Sequence, residues 1–210
     1  GFVENIRTNI ALVRRRLRHP NLRIEQMVIG DLSNTTVMIL YVKGLAQESV
    51  LEELRSRLKR IKIDGVLESN YLEELIVDAP FSIFPQIGST ERPDRVTANL
   101  LEGKVAVLTD GTPFALEMPM IFISFLQAVE DYYQNWILVF GLRILRLIGF
   151  LVALFLPSIY VALTTYHQEM LPTSLAVSLA IQREHVPYPA VVEALVMQIV
   201  FEILVEAGLR

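Results

Sequence analysis

One stretch limits the folding options of this chain more than any other: WILVFGLRILRLIGFLVALFLPSIYVALTTY, from Trp136 to Tyr166. Between Leu147 and Tyr166 it holds no charged side chain, and at about 1.5 Å of rise per residue those 20 positions cover about 30 Å, the thickness of a bilayer's hydrocarbon core. Leu147, Ile148, Phe150, Leu151, Val152, Leu154, Phe155 and Leu156 surround the helix axis instead of lining one face. A helix apolar all round is enclosed by protein or by lipid, and this length favours lipid. The expected span covers about residues 142–166. Pro157 falls inside it and frees a backbone carbonyl, which predicts a kink.

The flanks fit a water–lipid boundary. Tyr132, Tyr133 and Trp136 precede the span, and rings of this kind settle at headgroup level, so Trp136 is a membrane-surface candidate. Arg143 and Arg146 are three apart and share a helix face. Their long stems can snorkel towards phosphate groups, or the two are intramembrane charges turned to a bundle interior or a water path. The position of the run, deep in the chain, excludes a signal peptide.

Charge divides the chain in the same place. Through Glu130 there are 15 Lys/Arg and 17 Asp/Glu, and beyond it 4 and 6. Residues 1–127 therefore read as a water-facing domain and 128–210 as a membrane part. A net charge of -4 gives no electrostatic case for a nucleic-acid partner. The absence of cysteine removes disulfides, thiolate nucleophiles and cysteine metal sites. A start at Gly1-Phe2 and an end at Leu209-Arg210 suggest an internal piece of a longer protein.

In the first part, Phe2, Ile6, Ile10, Val13 and Leu17 recur at helical spacing up to His19-Pro20. The outer side carries Arg14, Arg15, Arg16 and Arg18, a solvated face or, beside a membrane, a contact for anionic headgroups. Extended runs follow at Leu22 to Ile29 and Thr35 to Val42. Gln47 to Ile61 is an amphipathic helix with the stripe Val50, Leu51, Leu54, Leu58 and Ile61. A short helix around Tyr71 to Ile76 precedes an extended Phe81-Ser82-Ile83-Phe84 between Pro80 and Pro85. Thr90-Glu91-Arg92-Pro93-Asp94-Arg95 opens a further helix to about Leu101. There Asp94 anchors the amino end with a local ion pair, or Glu91, Arg92, Asp94 and Arg95 make a subunit contact. Lys104 to Leu108 and Pro113 to Leu116 flank an Asp110-Gly111 hairpin signal. Strands alternating with helices predict an α/β domain, a mixed sheet flanked by helices, followed by α-helical membrane segments.

Beyond the span, residues 171–182 are too few to cross and suggest a re-entrant or interfacial piece. Pro187 and Pro189 introduce a last helix over 187–207. On it Gln198, Glu202 and Glu206 share a stripe, while Glu193 points the opposite way. Carboxylates on so apolar a helix face protein, water or an ion, unless the helix lies partly outside the bilayer with its stripe wet. Together with Arg143 and Arg146, these glutamates are the ion-path or gating candidates.

No Gly-rich phosphate cradle, zinc-binding HExxH or nucleophile elbow occurs, and His19, His167 and His185 are far apart in sequence. The reading is therefore of a protein with no catalytic residue, no metal and no cofactor.

The segments GFVENIRTNIALVRRRL, LYVKGLA, TERPDR, LLEGKVAVLTDGTPF, EDYYQ, LPSIYVALTTYHQEMLP and VPYPAVVEALVMQIVFEILVEAGLR resemble the A subunit of GerA-type spore germination receptors. The stage V sporulation protein AF is similar over the same region. The resemblance implies an integral protein of the inner spore membrane with its amino-terminal domain on the core side, an orientation that also follows from the positive-inside rule. It implies partners: a bilayer, further copies of the A subunit, a transporter-like B subunit that binds the nutrient, and a lipoprotein C subunit. It implies a channel-forming oligomer whose opening starts germination. A non-conducting scaffold of the germination machinery is the alternative. It supplies no catalytic residue.

Overall fold

The computed structural model describes every residue except 83, 129, 130, 132, 171, 184–187, 209 and 210. It divides into two compact units, Gly1–Gln134 and Asn135–Arg210.

In the first unit, helix α1 (Ile6–Arg16) starts where the Asn5 side chain accepts the N–H groups of Arg7 and Thr8, two of the donors a helix start leaves orphaned. Strands β1 (Leu22–Ile29) and β2 (Thr35–Val42) form a hairpin in which Leu22 faces Val42 and Ile29 faces Thr35. Helices α2 (Glu48–Arg60) and α3 (Ser69–Ile76) follow, then β3 (Gly88–Thr90), α4 (Pro93–Leu101), β4 (Val105–Thr109), β5 (Ala115–Met118) and the short α5 (Phe122–Phe125). The sheet order is β1-β2-β4-β5-β3.

Helices cover both faces. On one, Leu51, Leu54 and Leu58 of α2 and Leu72 and Ile76 of α3 pack against Val37, Ile39, Val105, Val107 and Leu116. On the other, Ile6 and Val13 of α1 and Val96 and Leu100 of α4 pack against Leu40, Val42, Ala106, Leu108 and Ala115. Strand β4 is therefore buried at all five positions, the reason Val105-Ala106-Val107-Leu108 is an unbroken apolar run and not an alternation. Each fully buried leucine, such as Leu51, Leu58 or Leu72, contributes about 1.5–3 kcal/mol.

The helix-covered α/β layer is the architecture expected from the sequence, with two corrections. The sheet is not mixed: all four described pairings are antiparallel, because β1–β2 and β4–β5 are hairpins and the helix-bearing connections bring β4 against β2 and β3 against β5 in opposite directions. Phe81 lies in a turn and Phe84 in a bend, Ser82 between them is not in a strand, and Phe81 is 99 % exposed, with no strand paired to it among the described residues. Ile83, in the same stretch, lies outside the described residues.

In the second unit, α6 (Trp136–Thr165) runs 30 residues, about 45 Å. Among the described residues it is the one helix long and apolar enough to cross a membrane. The Asn135 side chain caps its start by accepting the Ile137 N–H at 3.1 Å. The helix continues through Pro157, whose ring removes the N–H that would reach the Ala153 carbonyl. A single 3₁₀ turn (Gln168–Met170) precedes α7 (Thr173–Arg183) and α8 (Ala190–Gly208), and α8 packs on α6. Leu171 and Pro187, where the sequence reading began its last two segments, lie outside the described residues.

Candidate functional site

The start of α4 gathers most of the first unit's polar order. Pro93 occupies the first helical turn, where its fixed φ suits a helix and its missing N–H costs nothing. Asp94 follows in that same turn. Its carboxylate accepts the Arg92 guanidinium at 2.9 Å, the Arg95 backbone N–H at 3.0 Å and the Tyr133 hydroxyl at 3.0 Å. These donors, Arg92 first, hold the Asp94 carboxyl down at about 2. The Glu91 carbonyl accepts the Phe2 N–H at 2.7 Å. From there the chain's first residues are strapped down: Asn9 exchanges two hydrogen bonds with the Val3 backbone, and Asp110 accepts the Ile6 N–H at 3.1 Å.

Behind this lies a buried polar set that joins α4, β5 and α5. Glu117 sits in β5 with no exposed surface, between Ala106 of β4 and Gly88 of β3, small neighbours that leave room for its side chain. Arg95 donates to one carboxylate oxygen at 3.1 Å, and the other has no hydrogen-bond partner among the described residues. Burial pushes the Glu117 carboxyl up, opposed by the Asn99 side chain and the charges of Arg95 and Lys104. Lys104 is buried too, and its ammonium donates to Asn99 Oδ1 at 2.8 Å and to Ser124 Oγ at 3.1 Å. The cavity beside these groups is about 20 Å³, room for about one water and no substrate. The arrangement is that of a junction: Asp94 through Tyr133 and Lys104 through Ser124 hold the α4 region to the segment that precedes α6, while Arg95 ties α4 to Glu117 of β5.

The expected site residues distribute as follows. Arg92, Asp94 and Arg95 come together at the start of α4, while Glu91 is exposed. Arg14, Arg15, Arg16 and Arg18 are exposed at the carboxyl end of α1, and Trp136 is the exposed first residue of α6. On α6, Arg143 and Pro157 are exposed and Arg146 is half-buried; on α8, Glu193 is half-buried, and Glu202 and Glu206 are exposed.

Sequence reasoning missed Glu117, Asn99 and Lys104. Glu117 carries a legible signal, a lone charge inside the apolar run Ala115-Leu116-Glu117-Met118. It also missed the set in which Arg55 grips Glu25 through Nη2 at 2.6 Å and Nε at 2.9 Å while Tyr41 donates to Glu25 at 2.6 Å. Arg55 holds the Glu25 carboxyl down, and Glu25 pushes the Tyr41 phenol up.

Fold and site together define a class: an α/β domain joined to helices, one of which has the length and composition of a membrane span. The chain belongs to the GerA spore germination family, since the family described as Bacillus/Clostridium GerA spore germination protein matches residues 1–210. Over all 210 residues it is 51 % identical to spore germination protein KA and 45 % identical to spore germination protein A1, and 49 % identical to the uncharacterized membrane protein YfkQ, all of Bacillus subtilis (strain 168). The chain spans about two fifths of the length of these relatives (39 %, 44 % and 41 %). Among solved structures, the amino-terminal domain of the A subunit of the Bacillus megaterium spore germinant receptor GerK3 is 50 % identical, with a TM-score of 0.47, over 58 % of this chain and 96 % of that one.

Proposed function

We propose that the chain is part of the A-type subunit of a nutrient germinant receptor, held in the inner spore membrane with its α/β domain on the core side. In this reading residues 1–127 form the core-facing domain and 128–210 the membrane part, with the span entering near residue 142 and a kink at Pro157. The subunit oligomerises, works with a transporter-like B subunit and a lipoprotein C subunit, and contributes to an ion path whose opening starts germination. Glu91, Arg92, Asp94 and Arg95 contribute to contacts between copies. Arg143 and Arg146 on α6 and Glu193, Glu202 and Glu206 on α8 line or gate the path, because charge on apolar helices is retained where it meets water, ions or opposite charge.

The observation that carries this reading is the match to proteins named for spore germination along all 210 residues, α6 included. The test is ion release from spores whose receptor carries Glu202→Gln or Glu206→Gln, in a strain without other receptors. Slowed release or altered ion selectivity supports the path. Unchanged release and selectivity in both removes the glutamate stripe from it and favours the non-conducting scaffold.

A further inference from the structure

Among the described residues, no carboxylate answers the basic end of α1. Arg55, Arg57, Arg92 and Arg95 are each held by a carboxylate of their own chain. Arg14, Arg15, Arg16 and Arg18 are exposed, and among the described residues none is paired with a carboxylate. The helix dipole favours positive charge in the last turn, which accounts for one or two of them. Four guanidinium groups within five positions also repel one another, and negative charge from outside relieves that repulsion.

Two observations fix where such charge would come from. Helix α1 packs on α4, whose Asp94 receives the Tyr133 hydroxyl, and the Arg16 charge is felt at that same phenol. Tyr133 then precedes Trp136, the first residue of α6, by three residues, and chain geometry keeps the two Cα atoms within about 11 Å. Both rings are largely exposed, at 69 % and 76 %, as aromatic groups at a headgroup layer would be. The basic cluster thus belongs to the part of the domain from which the chain leaves for the apolar helix.

We propose that Arg14, Arg15, Arg16 and Arg18 form a docking surface for the anionic phospholipid headgroups of the membrane that holds α6. Guanidinium forks match phosphate oxygens in pairs, and an anionic leaflet supplies a dense layer of them at the depth where the chain enters. The proposal rests on the reading that α6 lies in a bilayer, and adds to it a lipid preference of the water-facing domain.

The chain's single tryptophan makes this measurable. The full chain is placed in phosphatidylcholine–phosphatidylglycerol nanodiscs, and energy transfer from Trp136 is read to trace dansyl-phosphatidylglycerol and, separately, to dansyl-phosphatidylcholine. The expected ratio of the two is about two in the parent, falling to about one in R14Q/R15Q/R16Q/R18Q and at high salt. The variant K59Q/R60Q/K62Q, which removes positive charge elsewhere, keeps the parent ratio. The double variants R14Q/R15Q and R16Q/R18Q each lower the ratio and serve if the quadruple variant does not fold. A ratio of one in the parent, or an undiminished ratio in the arginine variants, overturns the proposal. So does loss of the ratio on adding inorganic phosphate at constant ionic strength, which would assign the surface to a free anion. A chain that never enters the discs overturns the membrane reading as well, whereas an embedded chain with no headgroup preference overturns this inference alone.

Discussion

The Tyr133 hydroxyl donates to the Asp94 carboxylate at 3.0 Å, tying the residues that precede α6 to the first turn of α4. With Arg92 and the Arg95 N–H it holds Asp94 ionised, its carboxyl lowered from the ordinary 3.8 to about 2. A carboxylate depressed on folding stabilises the native state above its unfolded pKa, and that contribution is lost as pH falls through the folded value. The melting-temperature advantage of the parent over Asp94→Asn is therefore expected to be full at pH 7 and to vanish as pH drops from about 4 to about 2. Thermal unfolding in detergent, followed by circular dichroism, reads it. Tyr133→Phe should raise the Asp94 carboxyl modestly and leave most of that advantage in place, since Arg92 is the larger cause.

Glu117, in β5, behaves in the opposite sense. Burial raises its carboxyl above 4.5, so ionisation costs folding free energy, and that cost accumulates as pH climbs from the unfolded value to the folded one. Glu117→Gln keeps the shape without the charge. Its stability relative to the parent is expected to improve between pH 4 and pH 7, while Glu117→Ala, which empties the space between Ala106 and Gly88, loses stability at both. Melting curves of the three proteins at the two pH values check this. A Gln variant that worsens with rising pH would mean that Arg95 outweighs desolvation.

The contrast between these two carboxylates also shows what can be read from a sequence. The Arg92–Asp94 pair lies within one short motif, and the local ion pair at a helix start was legible there. The Arg95–Glu117 contact joins residues 22 apart, and only the strand pairing that brings β5 against α4 creates it. Strands β1 and β2 were legible because each is an eight-residue run set off by turn residues, and β2 is rich in β-branched residues. Strand β3 was not, since three residues carry no period; Gly88–Thr90 is a strand because the edge of β5 offers it partners. Phe81 misled for the opposite reason. Its β propensity is high, but among the described residues no strand pairs with it. On α6, lack of period over so long a run marked the helix, while which charges of the second unit meet one another depends on helix packing that no spacing encodes.

Gly103 ends α4 with φ at 86°, and a Cβ there would lie 2.7 Å from the Leu45 carbonyl oxygen. Gly111, in the β4–β5 turn, has φ at 89° with open space around it. Both substitutions to Ala carry the left-handed backbone cost of about 1–2 kcal/mol, and only Gly103→Ala adds a clash with backbone that cannot swing aside. Gly103→Ala is thus expected to destabilise the domain by more than Gly111→Ala, which stays near about 1 kcal/mol. Denaturant midpoints of the two variants measure the difference, and equal midpoints would show that the Leu45 segment yields.

The buried ammonium of Lys104 fastens Ser124, and with it α5, in the segment that leads from β5 towards α6. Ser124→Ala removes one acceptor from a buried cation that retains Asn99, at a cost of about 1.5–3 kcal/mol for a hydrogen bond to charge. Lys104→Met removes the charge and leaves Asn99 and Ser124 to pair elsewhere, and its longer reach is on Glu117, which loses one of the positive charges that oppose its rise. The expected sign of Ser124→Ala is faster amide exchange confined to residues 121–128, with β4 and β5 as protected as in the parent. Lys104→Met should give the same local loosening and, in addition, a steeper pH dependence of stability through Glu117. If exchange rises across the whole sheet in Ser124→Ala, the contact supports the core of the domain and not the tether alone; if it does not rise at all, backbone bonds such as Ser124 N–H to the Ile121 carbonyl at 2.8 Å hold the turn without Lys104.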